Sequence, residues 1–172
     1  MSSETNAAVA ANAARKRAGK YLTFVLAGEE YGLQILTVHE IIGMMPITRV
    51  PRTPHYIRGV VNLRGKVIPI VELRAKFAMD TVEDTAETCM IVVQLRNVQV
   101  GLLVDRVSEV IDIAETDVED APAFGSDLDT DFILGIAKSN GRVKLLLDID
   151  RVLSLHEVKE LGATTVSSDA AA

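Results

Sequence analysis

The chain has no tryptophan, a single cysteine, and aromatic residues at only 4% of its length. Any core must therefore be built from valine, isoleucine and leucine. The lone Cys89 cannot close an intramolecular disulfide, and no CxxC or Cys/His cluster offers zinc a ligand set, which points to a reducing compartment. No apolar run approaches the roughly 20 residues that cross a bilayer, and the N-terminus lacks the apolar stretch of a secretory signal. Positive net charge is missing too: at −6, nucleic acid is a poor partner. No GxSxG elbow, HExxH or Walker loop occurs. The three histidines (His39, His55 and His156) are scattered, and each lies beside charged or loop residues. Asp148-Ile149-Asp150 reads as acids at a helix start, and Thr116–Glu119 as a capping box before a helical turn. No enzyme is expected, and no cofactor or metal.

What is present is a 48% hydrophobic chain of 172 residues, enough for one medium domain or two small ones. Its most informative stretch is Ile57–Leu73. Two β-branched runs flank the polar turn Asn62-Leu63-Arg64-Gly65-Lys66, a hairpin signature; Pro69, lacking an N–H, suggests an edge strand or a bulge. The pattern returns in Phe132–Ile149, where Gly59 falls on Gly135, Gly65 on Gly141 and Glu72 on Asp148, each offset by 76. Upstream, Tyr21–Leu26 alternates as a half-buried strand should, with Leu22, Phe24 and Leu26 on one side. Eleven residues between Leu22 and Ile42, including Gly32 and Glu40, match residues between Ile91 and Ile111 at a constant offset of 69. The chain is a duplication. The second copy carries a seven-residue insertion (76 − 69 = 7), which must sit in the acidic loop 114–131.

Each copy offers about five short strands. That suits small closed barrels better than an open sheet with bare edges, and two such barrels would need to share an apolar seam. The expected organisation is a disordered tail (1–19), a folded region (20–155) with halves at 20–77 and 89–155 around a linker (78–88), and a C-terminal segment (156–172). A helix over Asp148–Leu161 is expected to end the fold. Charge is segregated: residues 49–76 hold seven basic side chains against one acid, and residues 80–131 hold fourteen acids against two bases. Such a split can steer complementary docking. Turn chemistry does not demand Arg64 where the second copy has Asn140, which makes its guanidinium fork a candidate for recognition. Glu40 and Glu109 occupy equivalent positions, and Gly59, Gly101 and Gly135 could simply admit close backbone approach. Cys89 reads as a buried or interface thiol.

Three stretches resemble the CheW family of chemotaxis coupling proteins: Y-L-T-F-V-L-A-G-E-E-Y-G-L-Q-I-L-T-V-H-E-I-I, I-R-G-V-V-N-L-R-G-K-V-I-P-I-V and V-G-L-L-V-D-R-V-S-E-V-I. The likeness covers Lys20 to about Ser154. It implies an all-β fold of two SH3-like five-stranded barrels and a cytoplasmic, non-catalytic scaffold. Its implied partners are the histidine kinase CheA, through that kinase's CheW-like domain, and the cytoplasmic tip of methyl-accepting chemotaxis receptors. The receptor tip would lie in a groove between the barrels. The chain would be a monomer alone and ring-forming with the kinase, recruited to receptor arrays without inserting into the membrane. By position, Val38, Glu40, Arg58, Gly59 and Arg64 match residues implicated in coupling, and Thr88, Cys89, Gly101 and Val110 match residues lining the receptor groove. An adaptor of a non-motility chemosensory pathway would share these features; a small enzyme is the alternative of another class.

Overall fold

The computed structural model describes residues 17–120, 132–153 and 157. In chain order the elements are β1 (Gly19–Leu26), β2 (Glu29–Gln34), β3 (Val38–Gly43), β4 (Ile57–Leu63), β5 (Lys66–Glu72), α1 (Leu73–Lys76), β6 (Cys89–Leu95), β7 (Val98–Val104), β8 (Arg106–Ile113), β9 (Val118–Glu119), β10 (Ile133–Ser139), β11 (Arg142–Leu147) and α2 (Ile149–Val152). Four tight hairpins recur, turning at Ala27-Gly28, Arg64-Gly65, Arg96-Asn97 and Asn140-Gly141. The first residue of each turn is left-handed, with φ of 51°, 52°, 52° and 53°, as two-residue hairpin loops require. Arg64 is therefore not singled out by its backbone, since Ala27 and Arg96 adopt the same conformation.

The expected fold class is the one found: two SH3-like barrels with only short helices. The sheets, however, cut across the sequence halves at 20–77 and 89–155. The first barrel orders its strands β8-β1-β2-β11-β10-β9, and the second β3-β6-β7-β5-β4. Each takes its opening hairpin from one copy of the repeat and its remaining strands from the other. Each barrel is joined twice across the copies: by an antiparallel pairing, β1 with β8 or β3 with β6, and by a parallel one, β2 with β11 or β7 with β5, which sequence-local hairpins cannot supply.

This exchange creates three apolar layers. Met90, Val92, Val61, Ile68 and Ile70 fill the second barrel. Tyr21, Ile113, Val118, Ala137 and Leu146 fill the first. Between the barrels lies the largest cluster, to which the two copies contribute equivalent residues: Leu22, Phe24 and Leu26 with Ile91, Val93 and Leu95. β1 is consequently not half-buried as its alternation suggested; Tyr21 through Leu26 are all buried, Thr23 included. One face packs inside a barrel and the other in the seam. Each fully buried large apolar side chain contributes about 2 kcal/mol. The aromatic content is concentrated at one end of the seam, where Phe24, Tyr31, Phe77 and Phe132 stack in series with centroids 5.1–6.0 Å apart.

Other expectations are revised. β5 is not an edge strand, for it pairs with both β4 and β7. Pro69 is tolerated because pairing with β7 begins one residue later, at Ile70. Thr116 is no helix cap: Glu115–Asp117 form a 3₁₀ turn whose N-cap, Ala114, has no side-chain bond, and β9 follows. Of the helix expected over Asp148–Leu161, the described residues show one turn that ends before Leu153, with residue 157 again helical. α2 is one turn, its N-cap Asp148 accepting from the Asp150 amide at 3.2 Å, and Leu153 is extended. Arg17 and Gly19 belong to the fold rather than to a tail: the Tyr21 hydroxyl donates to the Arg17 carbonyl at 2.6 Å, and Gly19 opens β1. The expected tail over 1–16, residues 121–131 of the loop expected to hold the insertion, residues 154–156 with His156, and residues 158–172 lie outside the described residues.

Candidate functional site

β3 and β4 are the outer strands of the second barrel. The segment after β3 crosses to β4 and closes the barrel through a reciprocal pair of backbone bonds between Thr48 and Val60, both 2.8 Å. From the tip of the β4–β5 hairpin, Arg64 Nη2 donates to Glu40 Oε1 on β3. The arginine side chain is 68% exposed and the glutamate 24%, so the acid is held against the barrel while the cation faces water. Two residues 24 apart in sequence, both candidates, thus form one exposed ion pair.

Arg58, one strand position before Gly59, lies near a second group of charges. Its guanidinium donates to Asp84 at 3.0 Å and stands 3.6 Å from Glu72, which lays the acidic linker along β4. Thr88 closes the turn at the linker's end, its hydroxyl accepting from the Thr85 amide at 2.8 Å. Nearby, Arg74 on α1 grips Asp105 with two bonds of 2.8 and 2.5 Å, and Asp105 also accepts from the Ala27 amide at 2.9 Å. This ties the β1–β2 turn of one barrel to α1 beside the other. The Arg74 bond holds the Asp105 carboxyl below the usual carboxylate range despite its partial burial. Much of the charge segregation seen in the sequence is therefore satisfied within the chain: Arg58, Arg64 and Arg74 all have acidic partners.

The remaining candidates fall elsewhere. Val38 and Cys89 pack against the seam at the β3–β6 pairing. Burial pushes the Cys89 thiol up, with a backbone hydrogen bond involving Val107 opposing the shift, which keeps it in the thiol form at neutral pH. Gly59 and Gly101 are buried and offer no surface. A Cβ on Gly59 would lie 2.3 Å from the Thr48 carbonyl oxygen, and one on Gly101 2.5 Å from Ile70 Cδ1; both are sites of close approach. Val110 stands 53% exposed on the outer face of β8 in the first barrel. Its repeat partner Ile41 is 45% exposed on β3 and was missed as a surface residue, although their shared offset paired them. Leu36, 96% exposed in the 3₁₀ turn before β3, was missed as well. Alternation with the buried Leu33 and half-buried Ile35 was the available signal. Among the described residues no group of three or more His, Cys, Asp or Glu could hold a metal, and no helix is long and apolar enough to cross a membrane.

Comparison with known proteins gives this geometry a context. The CheW-like domain family matches residues 20–157. The chain is similar to the chemotaxis protein CheW of Klebsiella aerogenes, 40% identical over 139 residues that span 81% of this chain and 84% of that protein. It is similar to the chemotaxis protein CheW of Bacillus subtilis, 37% identical over 80% of this chain and 88% of that protein. Among solved structures, the scaffolding protein TtCheW of Thermoanaerobacter tengcongensis superimposes with a TM-score of 0.74 at 35% identity, over 81% of this chain and 95% of that one.

Proposed function

The chain belongs to the CheW family, and from that premise we propose that it is a non-catalytic adaptor of chemotaxis signalling. It couples the cytoplasmic tips of chemoreceptors to the histidine kinase CheA, acting in the cytoplasm at receptor arrays. The observation that carries this reading is the exposed Glu40–Arg64 pair. The family likeness implicates both residues, they lie 24 positions apart, and the fold joins them on one rim of the second barrel. A charge-assisted contact facing water can be exchanged for one with a partner at little cost, because exposed ion pairs contribute only about 0–1 kcal/mol to the free protein. Arg58 and Thr88 extend the proposed surface along β4 and the linker, and Val38, Cys89 and Val110 supply apolar contact. Gly59 and Gly101 act through the backbone.

The test is a co-sedimentation assay of the full chain with a receptor signalling domain and CheA, read together with kinase autophosphorylation. Capture of both partners and increased autophosphorylation are expected. Failure to bind either at micromolar concentration overturns the proposal. Arg64→Ala is expected to weaken coupling with thermal stability nearly unchanged; comparable loss of both would make Arg64 a structural residue.

A further inference from the structure

The first barrel contains a charge that its sister does not. Lys144 on β11 is buried, its side chain 5% exposed, and it points inward beside Leu146. Its ammonium stands 3.4 Å from Glu30 on β2, itself only 17% exposed, and 3.9 Å from Glu109 on β8. Arg142 approaches Glu30 more loosely, at 3.7 Å, from the surface. Glu30 Oε2 is buried and has no hydrogen bond of its own, so Lys144 is its main compensation. In the second barrel the equivalent positions, by the offsets of 76 and 69, are Ile68 and Gln99. Neither is charged.

The position of this pair matters because the copies exchange strands. β1–β2 must accept the hairpin β10–β11, and β6–β7 must accept β4–β5. The hairpins are related by duplication and present similar apolar faces, so apolar burial alone discriminates poorly between them. Charge discriminates strongly. If β4–β5 were laid beside β1–β2, Ile68 would face Glu30, whose buried Oε2 would lose the lysine, leaving only Lys66 at the surface in the place of Arg142. If β10–β11 were laid beside β6–β7, Lys144 would face Gln99 rather than Glu30. An unpaired buried charge is among the most unfavourable defects a core can hold. Selecting a register or a partner is the best-attested use of buried polar groups.

We propose that the Glu30–Lys144 pair is the selector that directs each hairpin of this duplicated chain to its own barrel, preventing mispaired hairpins and the oligomers that their unsatisfied strands would form. The inference is independent of the coupling role. It is tested by refolding the full chain from urea at about 1 µM and about 100 µM and measuring monomer and oligomer by light scattering after size exclusion. In Glu30→Gln/Lys144→Ile each residue takes the identity of its sister position. This variant is expected to give several-fold more oligomer than wild type at the higher concentration, with a urea midpoint no lower than wild type. The reversed pair Glu30→Lys/Lys144→Glu, made together with Glu109→Gln and Arg142→Gln because these two groups face the exchanged charges at 3.9 and 3.7 Å, is expected to restore the monomer fraction. A neutral variant that refolds to monomer in wild-type yield overturns the proposal, as does a reversed pair no better than the neutral one. Should the neutral variant not fold, the reversed pair decides alone: monomer recovery supports selection and its failure refutes it.

Discussion

Gly59→Ala separates scaffold from surface among the candidate residues. Gly59 has φ of +149°, and an added Cβ would lie 2.3 Å from the Thr48 carbonyl oxygen and 2.7 Å from Ile47 Cγ2. The carbonyl cannot turn aside, because it accepts from the Val60 amide at 2.8 Å while the Thr48 amide donates back to Val60. The 47–48 segment must therefore lift from β4. That breaks two backbone bonds at about 1 kcal/mol each, draws Ile47 partly out of the second barrel at about 1 kcal/mol, and retains a left-handed strain of about 1 kcal/mol. The sum is about 3–5 kcal/mol. For a chain of this size it corresponds to a fall in Tm of roughly 10 °C, measured by calorimetry and by urea unfolding. Gly65→Ala is the control. Its φ is also positive, but no atom lies within 4 Å of the added Cβ, so the loss should be about 1 kcal/mol. A Gly59→Ala protein melting within about 1 °C of wild type would refute the close-approach argument and return Gly59 to the list of contact residues.

Asp105→Asn should lower stability by about 2 kcal/mol at pH 7 through the lost charged bonds to Arg74. Because the folded carboxyl titrates below its ordinary value of 3.8, the wild-type advantage is present above that pH and disappears as pH falls through the lower folded value. Urea midpoints at pH 7, 5 and 3 test this, and a gap that stays constant with pH contradicts it. Cys89, its thiol pushed up by burial, should alkylate more slowly than free cysteine at pH 7.5; equal rates under native conditions would contradict its placement at the seam. A double-mutant cycle of Glu40→Gln and Arg64→Ala should give a coupling of at most about 1 kcal/mol in unfolding, and a larger value would mean that the pair is a structural clasp.

The repeat, the hairpins and the barrel class were legible because they rest on local signals: turn residues, alternation, and residue classes recurring at fixed offsets. The exchange of strands was not legible. Leu22 matching Ile91 says that both occupy equivalent sites, and it holds equally whether β1 pairs with its own copy's strands or with the other's. The decision lies in the long-range pairings between copies, β1 with β8 and β3 with β6 and the parallel contacts Leu145–Tyr31 and Ile70–Gly101, which carry no turn and no short-range pattern. The same gap explains β1. Alternation was read as one buried face, whereas Thr23 and Val25 face the first barrel's interior and its surroundings while Leu22 and Phe24 face the seam. In the candidate site, Glu40 and Arg64 were each identifiable, but their contact was not, since β3 and the β4–β5 tip meet only through closure of the barrel. The left-handed turn position that Arg64 fills is shared by Ala27, Arg96 and Asn140, so the backbone does not demand arginine there, and nothing local indicated where its side chain would reach.

Duplication supplies its own comparison of a closed solution with an open one. Glu40 and Glu109 occupy equivalent positions on β3 and β8, and in both barrels a cation comes from the hairpin that completes the barrel. In the first barrel that cation is Lys144, within strand β11 and buried, and the Glu109 backbone is pinned further by Thr23, whose hydroxyl donates to its carbonyl at 2.8 Å and accepts from its amide at 3.1 Å. In the second barrel Ile68 replaces the lysine and Val92 replaces the threonine, and the glutamate is answered instead by Arg64 from the exposed tip. With no lysine in its interior, the second barrel carries the cation beside its glutamate at the surface. On the two proposals, the buried Glu30–Lys144 pair of the first barrel chooses among the chain's own strands, and the exposed Glu40–Arg64 pair of the second exchanges with another protein. The opposite assignment would fail on both counts, because a buried cation is inaccessible to partners and an exposed pair discriminates weakly between hairpins.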